Sequence, residues 1–290
     1  MGFNLVPVDT VEEIDKQTFH EKYVKPGKPL LLKQYAKRWK AFEKWTPEYL
    51  KEVCGNKVVP LYNNSKADPS KPINASATSM PFNDYIDLIC SVPSELRIFF
   101  FEVFKEAPQL LADYTYPTEL MGGFIDNYPS MFFGGKGSKV FLHYDIDLPH
   151  IFQAQFHGRK RVILFNQKWS KRLYRLPNST YALEDFDVAN PDIKKFPALD
   201  GVEGTECFCE PGDLLFIPVG VWHYMEYLEG GYAITLRSWE TPLLTRAKGL
   251  YNLIVMRNLD SFLKTRFKGK YMSFKEQMAI ATANRLLGIK

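Results

Sequence analysis

Short runs of alternating apolar and polar residues dominate the chain between residues 131 and 239. Successive side chains of a strand point to opposite faces, so this alternation predicts β-strands. Turn residues separate the runs, which is typical of a sandwich or a jelly roll. The pattern predicts strands over residues 131–133, 139–145, 151–157, 160–166, 205–209, 214–217, 221–227 and 232–239.

Both ends of the chain carry helical patterns around this β-rich middle. Before it, the pattern predicts helices over residues 11–24, 47–54 and 82–90, strands over 30–32, 58–62 and 97–104, and a polar loop over 63–79. After residue 240, apolar residues recur every three or four positions, which predicts terminal helices over 242–264 and 273–287. We therefore predict one mainly β domain over residues 1–240 and a helical extension over residues 241–290.

Composition narrows the class of protein. Hydrophobic residues make up 46% of the 290 residues, which allows a sizeable core and excludes a globally disordered chain. The formal charge of +4 is too small to indicate nucleic-acid binding on its own. The four cysteines form no CxxC pair, and neither a signal peptide nor an apolar run of about 18 residues is visible. We expect a soluble cytoplasmic protein with free thiols and no membrane segment.

Three residues on two predicted strands indicate a metal site. His143 and Asp145 are separated by one residue, so their side chains point the same way on an extended strand. His223 lies on a second predicted strand. Two histidines and one carboxylate form the facial triad that binds Fe(II) and leaves coordination positions open. Asp147 has the same parity as Asp145 and is the alternative carboxylate.

Several short motifs accompany the His-x-Asp pair. They are His143-Tyr144-Asp145, Gly158-Arg159-Lys160-Arg161, Asn190-Pro191-Asp192, the run from Pro211 to Pro218, and Trp222-His223. In this combination the chain resembles the JmjC-type, cupin-like Fe(II)/2-oxoglutarate oxygenases. The resemblance implies a mainly β fold with flanking helices, namely a double-stranded β-helix (jelly roll, cupin-like) with N-terminal α/β elements and C-terminal helices. It also implies Fe(II), 2-oxoglutarate as cosubstrate and O2, with His143, Asp145 and His223 as the metal ligands.

Two cations are candidates for binding the far carboxylate of 2-oxoglutarate. Lys160 matches the position of the anchoring lysine in the asparaginyl hydroxylases of that family, and alternation groups it with Val162 and Leu164. Arg237 lies on the last predicted strand, where an inward-facing guanidinium would bind a carboxylate through two hydrogen bonds. Those hydroxylases also have a threonine that contacts 2-oxoglutarate, and Val140 replaces it here. We expect Lys160 to be the anchor and Arg237 to line the pocket.

Three further residues are assigned to the substrate pocket. Thr235 and Trp239 share the strand face of Arg237, and His150 follows the metal pair by a few residues. The substrate class stays open between a protein side chain, an RNA base and a small molecule. The departures at Val140 and Arg237 also leave open a non-catalytic, cupin-like module that binds metal and ligand.

The terminal helices are candidates for a homodimer interface, as the resemblance to the asparaginyl hydroxylases implies. Residues 245–276 contain eight Lys and Arg residues against two acidic residues. Such a basic stretch either steers RNA or an acidic protein to the surface, or forms a solvated helix face, and we favour the solvated face.

Overall fold

The computed structural model describes residues 2–66, 75–99, 101–125 and 129–288. Its strands are β1 (Asn4–Pro7), β2 (Asp9–Val11), β3 (Leu30–Leu32), β4 (Val58–Tyr62), β5 (Thr78–Pro81), β6 (Arg97–Ile98), β7 (Ser130–Gly134), β8 (Lys139–His143), β9 (His150–His157), β10 (Lys160–Phe165), β11 (Glu203–Cys209), β12 (Leu214–Ile217), β13 (Trp222–Tyr227) and β14 (Gly231–Ser238). Its α-helices are α1 (Lys16–Phe19), α2 (Lys40–Lys44), α3 (Pro47–Cys54), α4 (Phe82–Ser91), α5 (Val103–Glu106), α6 (Leu243–Tyr251) and α7 (Arg257–Leu286). Short 3-10 helices span Tyr35–Arg38, Pro108–Ala112, Gln167–Trp169 and Pro197–Leu199, and π-helical turns span His20–Val24 and Asn252–Met256.

Two sheets organise the molecule. Within the described ranges, one has five strands in the order β1-β11-β10-β13-β8, and the other has nine in the order β2-β3-β12-β9-β14-β7-β6-β4-β5. From β7 to β14 the chain passes back and forth between the two sheets, as in a jelly roll. The predicted fold class, mainly β with flanking helices and a cupin-like jelly roll, is confirmed.

The inner faces of the sheets enclose a small apolar core. Val162 and Leu164 of β10 cluster there with Leu215 and Ile217 of β12. These residues are two apart on their strands, so alternation places them on the same face. The part of the interior that these four residues line is therefore apolar, and a polar side chain on the same faces is an exception.

Both sheets are also covered on their outer faces. Phe152 and Phe216 of the nine-stranded sheet pack with Phe19 and Trp45 from the N-terminal elements. The five-stranded sheet packs against the segment that follows β10 and against Ala279 of α7. Because both faces are buried, β9 is buried along nearly its whole length instead of alternating with solvent.

The eight strands predicted for the middle of the chain are all present, each with bounds within two residues of the prediction. Two predictions nearer the N-terminus were wrong in extent. The helix predicted over residues 11–24 begins only at Lys16, because Asp9–Val11 forms a strand that pairs with Leu30–Leu32. The strand predicted over 97–104 is limited to Arg97–Ile98, and Val103–Glu106 is helical, with Val103, Phe104 and Ala107 buried at helical spacing.

The polar stretch over residues 63–79, predicted to be a loop, is partly outside the described residues. Its last two residues belong to β5, which pairs with β4 at the edge of the nine-stranded sheet. No hydrophobic pattern marks this edge strand, because within the described residues it pairs with β4 alone and its side chains are exposed or half-buried.

The C-terminal helices continue almost without a break from α6 through the π-helical turn to α7. Lys268 interrupts α7 with a positive φ of 47°. Asp260, before this interruption, accepts hydrogen bonds from the Lys275 Nζ at 2.6 Å and the Tyr271 hydroxyl at 3.1 Å, both beyond it. None of the described helices is long and apolar enough to cross a membrane. The division of the chain at residue 240 stays a prediction.

Candidate metal centre

The end of β8 and the start of β13 bring two histidines together. His143 and His223 are direct partners across the antiparallel pair of strands, with their ring centroids 4.2 Å apart. Asp145, two residues after His143, points its Oδ1 at both rings. This atom lies 3.6 Å from the Nε2 of His143 and 3.8 Å from the Nε2 of His223. The ligand atoms of the three residues all lie within 4.8 Å of one another.

Backbone carbonyls orient both imidazoles. The Nδ1 of His143 donates to the Phe141 carbonyl at 2.8 Å, and the Nδ1 of His223 donates to the Val221 carbonyl at 3.1 Å. The proton is therefore on Nδ1, and the lone pair of each Nε2 faces Asp145. Burial lowers the pKa of His223 to about 3, which keeps this ring neutral, as a metal ligand must be.

Arg237 fixes the orientation of the Asp145 carboxylate. Its Nε donates to Oδ2 of Asp145 at 3.1 Å, and its Nη1 donates to the Ser130 hydroxyl at 2.9 Å. Burial raises the pKa of Asp145, but the Arg237 guanidinium and the two histidines outweigh burial and hold this pKa well below its ordinary value. The site thus presents two imidazole Nε2 atoms and one charged carboxylate oxygen, a donor set that fits Fe(II).

Asp147, the alternative carboxylate, is not part of this cluster. Burial and the nearby Asp145 charge raise its pKa, and it accepts a hydrogen bond from the Trp239 side chain. Trp239, predicted to share the face of Arg237, follows β14 and is 38% exposed. The structure therefore places Trp239 beside Asp147, near the cluster but not in the space between the sheets.

Lys160, the first residue of β10, is fully buried. Its side chain is on the inner face of the sheet, as predicted from alternation with Val162 and Leu164, and its Nζ has no hydrogen-bond partner among the described residues. The ring of Tyr227 lies beside the amine, with its centroid 4.3 Å from the Nζ. Burial lowers the pKa of Lys160 to about 7. A buried amine without a counter-ion fits an anionic ligand between the sheets, such as a carboxylate.

Other polar groups also lie between the sheets. Thr235 of β14 is 3% exposed and pairs with Gln153 of the neighbouring strand β9, so it lies on the inner face as predicted. The side-chain oxygens of Gln153 and Gln155 have no hydrogen-bond partner in the described part of the chain. Val140 packs against the interior apolar cluster and offers no hydrogen bond from its side chain.

His150 is not brought to the interior. Alternation along β9 places it with Phe152 on the outer face, where its ring stacks on Phe216 at a centroid distance of 5.5 Å. Burial lowers the pKa of His150 to about 4. The assignment of His150 to the substrate pocket is therefore corrected: the residue is a neutral component of the outer core, because its even-numbered strand position turns it away from Gln153 and Gln155.

The sequence did not predict that two further residues, Tyr181 and Arg97, lie beside the cluster. Tyr181 stacks on His143, with ring centroids 5.1 Å apart and an interplanar angle of 13°. Arg97, from the short strand β6, places its guanidinium carbon 5.8 Å from the centroid of the Phe141 ring. Neither residue belongs to a motif, and each comes from a segment whose path over the sheets no local pattern reveals.

Comparison with known proteins agrees with this geometry. The family described as "Cupin-like domain" matches residues 16–242. Lysine-specific demethylase 8 from Danio rerio is 29% identical over 230 residues, which are 76% of this chain and 55% of that protein. The tRNA wybutosine-synthesizing protein 5 from Mus musculus is 26% identical over 257 residues, covering 81% of this chain and 79% of that protein.

A third relative is the JmjC domain-containing protein D from Dictyostelium discoideum. It is 30% identical over 247 residues, which are 74% of this chain and 52% of that protein. The chain thus spans about half the length of this relative and of the demethylase.

Proposed function

The chain belongs to the cupin-like, JmjC-type domain family, and from this membership we propose that it is an Fe(II)- and 2-oxoglutarate-dependent dioxygenase that acts as a hydroxylase. One observation carries the proposal. His223 of the His-Asp-His cluster pairs with Leu164 of β10, and four residues along the same strand lies the buried Lys160, whose amine has no hydrogen-bond partner among the described residues. A ligand with two separated carboxylate ends suits such an arrangement, because one end would meet the metal and the other the lysine.

His143, Asp145 and His223 would hold the metal through two Nε2 atoms and Oδ1. Bound Fe(II), with 2-oxoglutarate and O2, supplies oxidising power that converts a C–H bond to C–OH while 2-oxoglutarate becomes succinate and CO2. The protein's part is positional. Arg237 holds the Asp145 carboxylate, the carbonyls of Phe141 and Val221 hold the imidazoles, and the apolar walls exclude water.

A succinate assay tests this proposal. With Fe(II), ascorbate and O2, the protein should convert 2-oxoglutarate slowly to succinate even without a substrate. His143→Ala should abolish this conversion and the binding of the metal. Asp147→Asn is the matched control, since Asp147, like His143, lies two residues from Asp145 in the sequence but is outside the cluster. This variant should retain both succinate formation and metal binding. Equal succinate yields from His143→Ala and the unmodified protein would contradict the proposal.

A non-catalytic module that binds metal and a small acid is the second candidate. The observation that favours it is the apolar Val140 wall, which removes a polar contact from the interior. Calorimetry separates the two functions when it is combined with the succinate assay. Binding of 2-oxoglutarate that depends on metal, followed by turnover, supports the enzyme, whereas binding without any turnover supports the module.

The substrate is proposed to be a protein side chain, an RNA base or a small molecule. The relatives' names include a lysine-specific demethylase and a tRNA wybutosine-synthesizing protein, so peptides and tRNA are the first candidates to test. Product masses from both assays would identify the class. Oxidation of tRNA should fall steeply as salt rises, because phosphate contacts release counter-ions, while oxidation of a small neutral substrate should not.

We also propose a homodimer through the C-terminal helices. Most of the large apolar side chains that are exposed in the described residues lie in this region, namely Leu243, Leu244, Leu250, Tyr251, Ile254, Val255, Leu259, Phe262, Phe267, Phe274, Met278, Ile280, Leu286 and Leu287. A monomer rarely exposes so many large apolar side chains in one region, and a second copy of the same helices would cover them.

A further inference from the structure

Arg97 belongs to the inner side of the nine-stranded sheet. Its neighbour in β6, Ile98, points into the outer core, so alternation turns Arg97 the opposite way. Across the strand pair its partner is Gly134 of β7. A Cβ at Gly134 would come within 2.6 Å of the Tyr227 ring, so this ring packs directly on the glycine. Arg97 and Tyr227 are thus neighbours around one glycine.

Tyr227 connects Arg97 to Lys160. The Tyr227 ring lies under the Lys160 Nζ, at 4.3 Å from its centroid. Burial raises the pKa of the Tyr227 hydroxyl, and the charge that partly offsets burial is that of Arg97. The hydroxyl end of the Tyr227 ring, through Cε2 and Cζ, therefore packs on Gly134, the strand partner of Arg97, while the ring also lies against the Lys160 amine.

On its other side Arg97 approaches the metal cluster. Its guanidinium carbon is 5.8 Å from the ring centroid of Phe141, two residues before His143. Arg97 thus has the Tyr227 ring, which contacts Lys160, on one side, and Phe141, on the strand of His143, on the other.

The charge of Arg97 is only partly balanced. Its Nη1 donates to the Asn63 carbonyl at 2.8 Å, and no carboxylate of the described residues forms an ion pair with it. Glu184 is the acidic residue whose field reaches it. Lys160 and Arg97 therefore lie on either side of one buried tyrosine, and neither forms an ion pair with a carboxylate of the described residues.

We propose that Arg97 is a second cationic contact for the far carboxylate of 2-oxoglutarate, so that Lys160 and Arg97 together select a dicarboxylate. This inference rests on the proposed function of the same site. A guanidinium presents two parallel donors to a carboxylate, whereas an ammonium acts as a point charge. The two residues therefore have different roles. Lys160 of β10 provides a positive charge, and Arg97 of β6 provides paired hydrogen-bond donors that orient the carboxylate.

Calorimetry on the Mn(II)-loaded protein tests the inference without requiring turnover. The titrants are 2-oxoglutarate and 2-oxovalerate, which has the same chain length but lacks the far carboxylate. Arg97→Gln should weaken 2-oxoglutarate by roughly 10- to 150-fold, the worth of a charge-assisted hydrogen bond, and should leave 2-oxovalerate within about threefold. The affinity of Arg97→Lys for 2-oxoglutarate should fall between those of the unmodified protein and of Arg97→Gln, because lysine retains the charge but lacks the planar pair of donors.

The matched control is Arg161→Gln, since Arg161 lies on β10 beside Lys160 but pairs with Glu206 at 2.9 Å and should leave both affinities unchanged. Unfolding curves of Arg97→Gln should match those of the unmodified protein. Equal weakening of both keto acids, or no weakening of 2-oxoglutarate, would overturn the role of Arg97 while leaving the proposed function intact. If the unmodified protein binds neither keto acid, the proposed function fails and this inference with it.

Discussion

The Nζ of Lys160 lies 4.3 Å from the centroid of the Tyr227 ring, so an aromatic ring packs against this buried amine. No hydrogen-bond acceptor among the described residues reaches the amine. A buried ammonium without an acceptor is destabilising until a ligand carboxylate arrives. The buried charge therefore destabilises the ligand-free protein at the position where the cosubstrate is proposed to bind.

Lys160→Met should stabilise the ligand-free protein. Burial lowers the pKa of Lys160 from its ordinary 10.5 to about 7, so folding below pH 7 forces a charged amine into an apolar space. This destabilisation is largest below pH 7. As the pH rises between the two pKa values, it decreases by roughly 1.4 kcal/mol per pH unit, and it disappears above the higher value. The gain from Lys160→Met should be a few kcal/mol near pH 7 and should shrink towards pH 10. Urea unfolding at several pH values measures it, and a loss of stability at pH 7 would contradict the argument.

The affinity for 2-oxoglutarate should fall as the pH rises above 7. The anion binds the protonated amine, and burial lowers the pKa of the free Lys160 to about 7, so the competent form becomes scarce at higher pH. The dissociation constant should rise by up to about tenfold per pH unit above that value, with uptake of a proton on binding. Calorimetry in two buffers of different ionisation enthalpy counts this proton. Lys160→Met should remove both the slope and the proton.

Lys160 and Arg237 should differ in their effect on 2-oxoglutarate. Arg237 already uses its Nε on Asp145 and its Nη1 on Ser130, whereas the Lys160 amine has no hydrogen-bond partner in the part of the chain that the structure describes. Lys160→Ala should weaken 2-oxoglutarate by roughly 10- to 150-fold, and Arg237→Ala by much less. Direct titration of the Mn(II)-loaded variants measures both. The opposite ranking would place the cosubstrate carboxylate at the last strand, on Arg237.

The sequence predicted the parts of the site that depend on strand alternation. His143, Lys160 and Thr235 point to the interior because period-two patterns fix the face of each strand residue, and Asp145 joins His143 from just beyond the end of β8. His150 was misassigned because nearness in sequence to the metal pair says nothing about the face, and its even-numbered position on β9 turns it to Phe216.

Contacts between segments far apart in the chain were not predictable in the same way. Arg97 reaches the interior only because β6 pairs with β7, and the apolar run around it favoured a longer strand than the one that forms. Tyr181 stacks on His143 from a segment without periodic pattern. The pairing of Asp145 with Arg237 likewise depends on how β14 lies beside the turn after β8, which no local motif encodes.

The last prediction concerns the C-terminal helices. Phe262 is 63% exposed and Leu250 is 58% exposed, and placing a charge at either site would put an unpaired carboxylate into the proposed apolar interface. Sedimentation should show a dimer for the unmodified protein and a monomer for Leu250→Glu and Phe262→Glu. Val92→Glu is the control, since Val92 is similarly exposed at 51% but follows α4 in the N-terminal half, and it should remain dimeric. If all four proteins sediment as monomers, the exposed apolar side chains of these helices serve another partner, because a self-association interface would have been visible without any substitution.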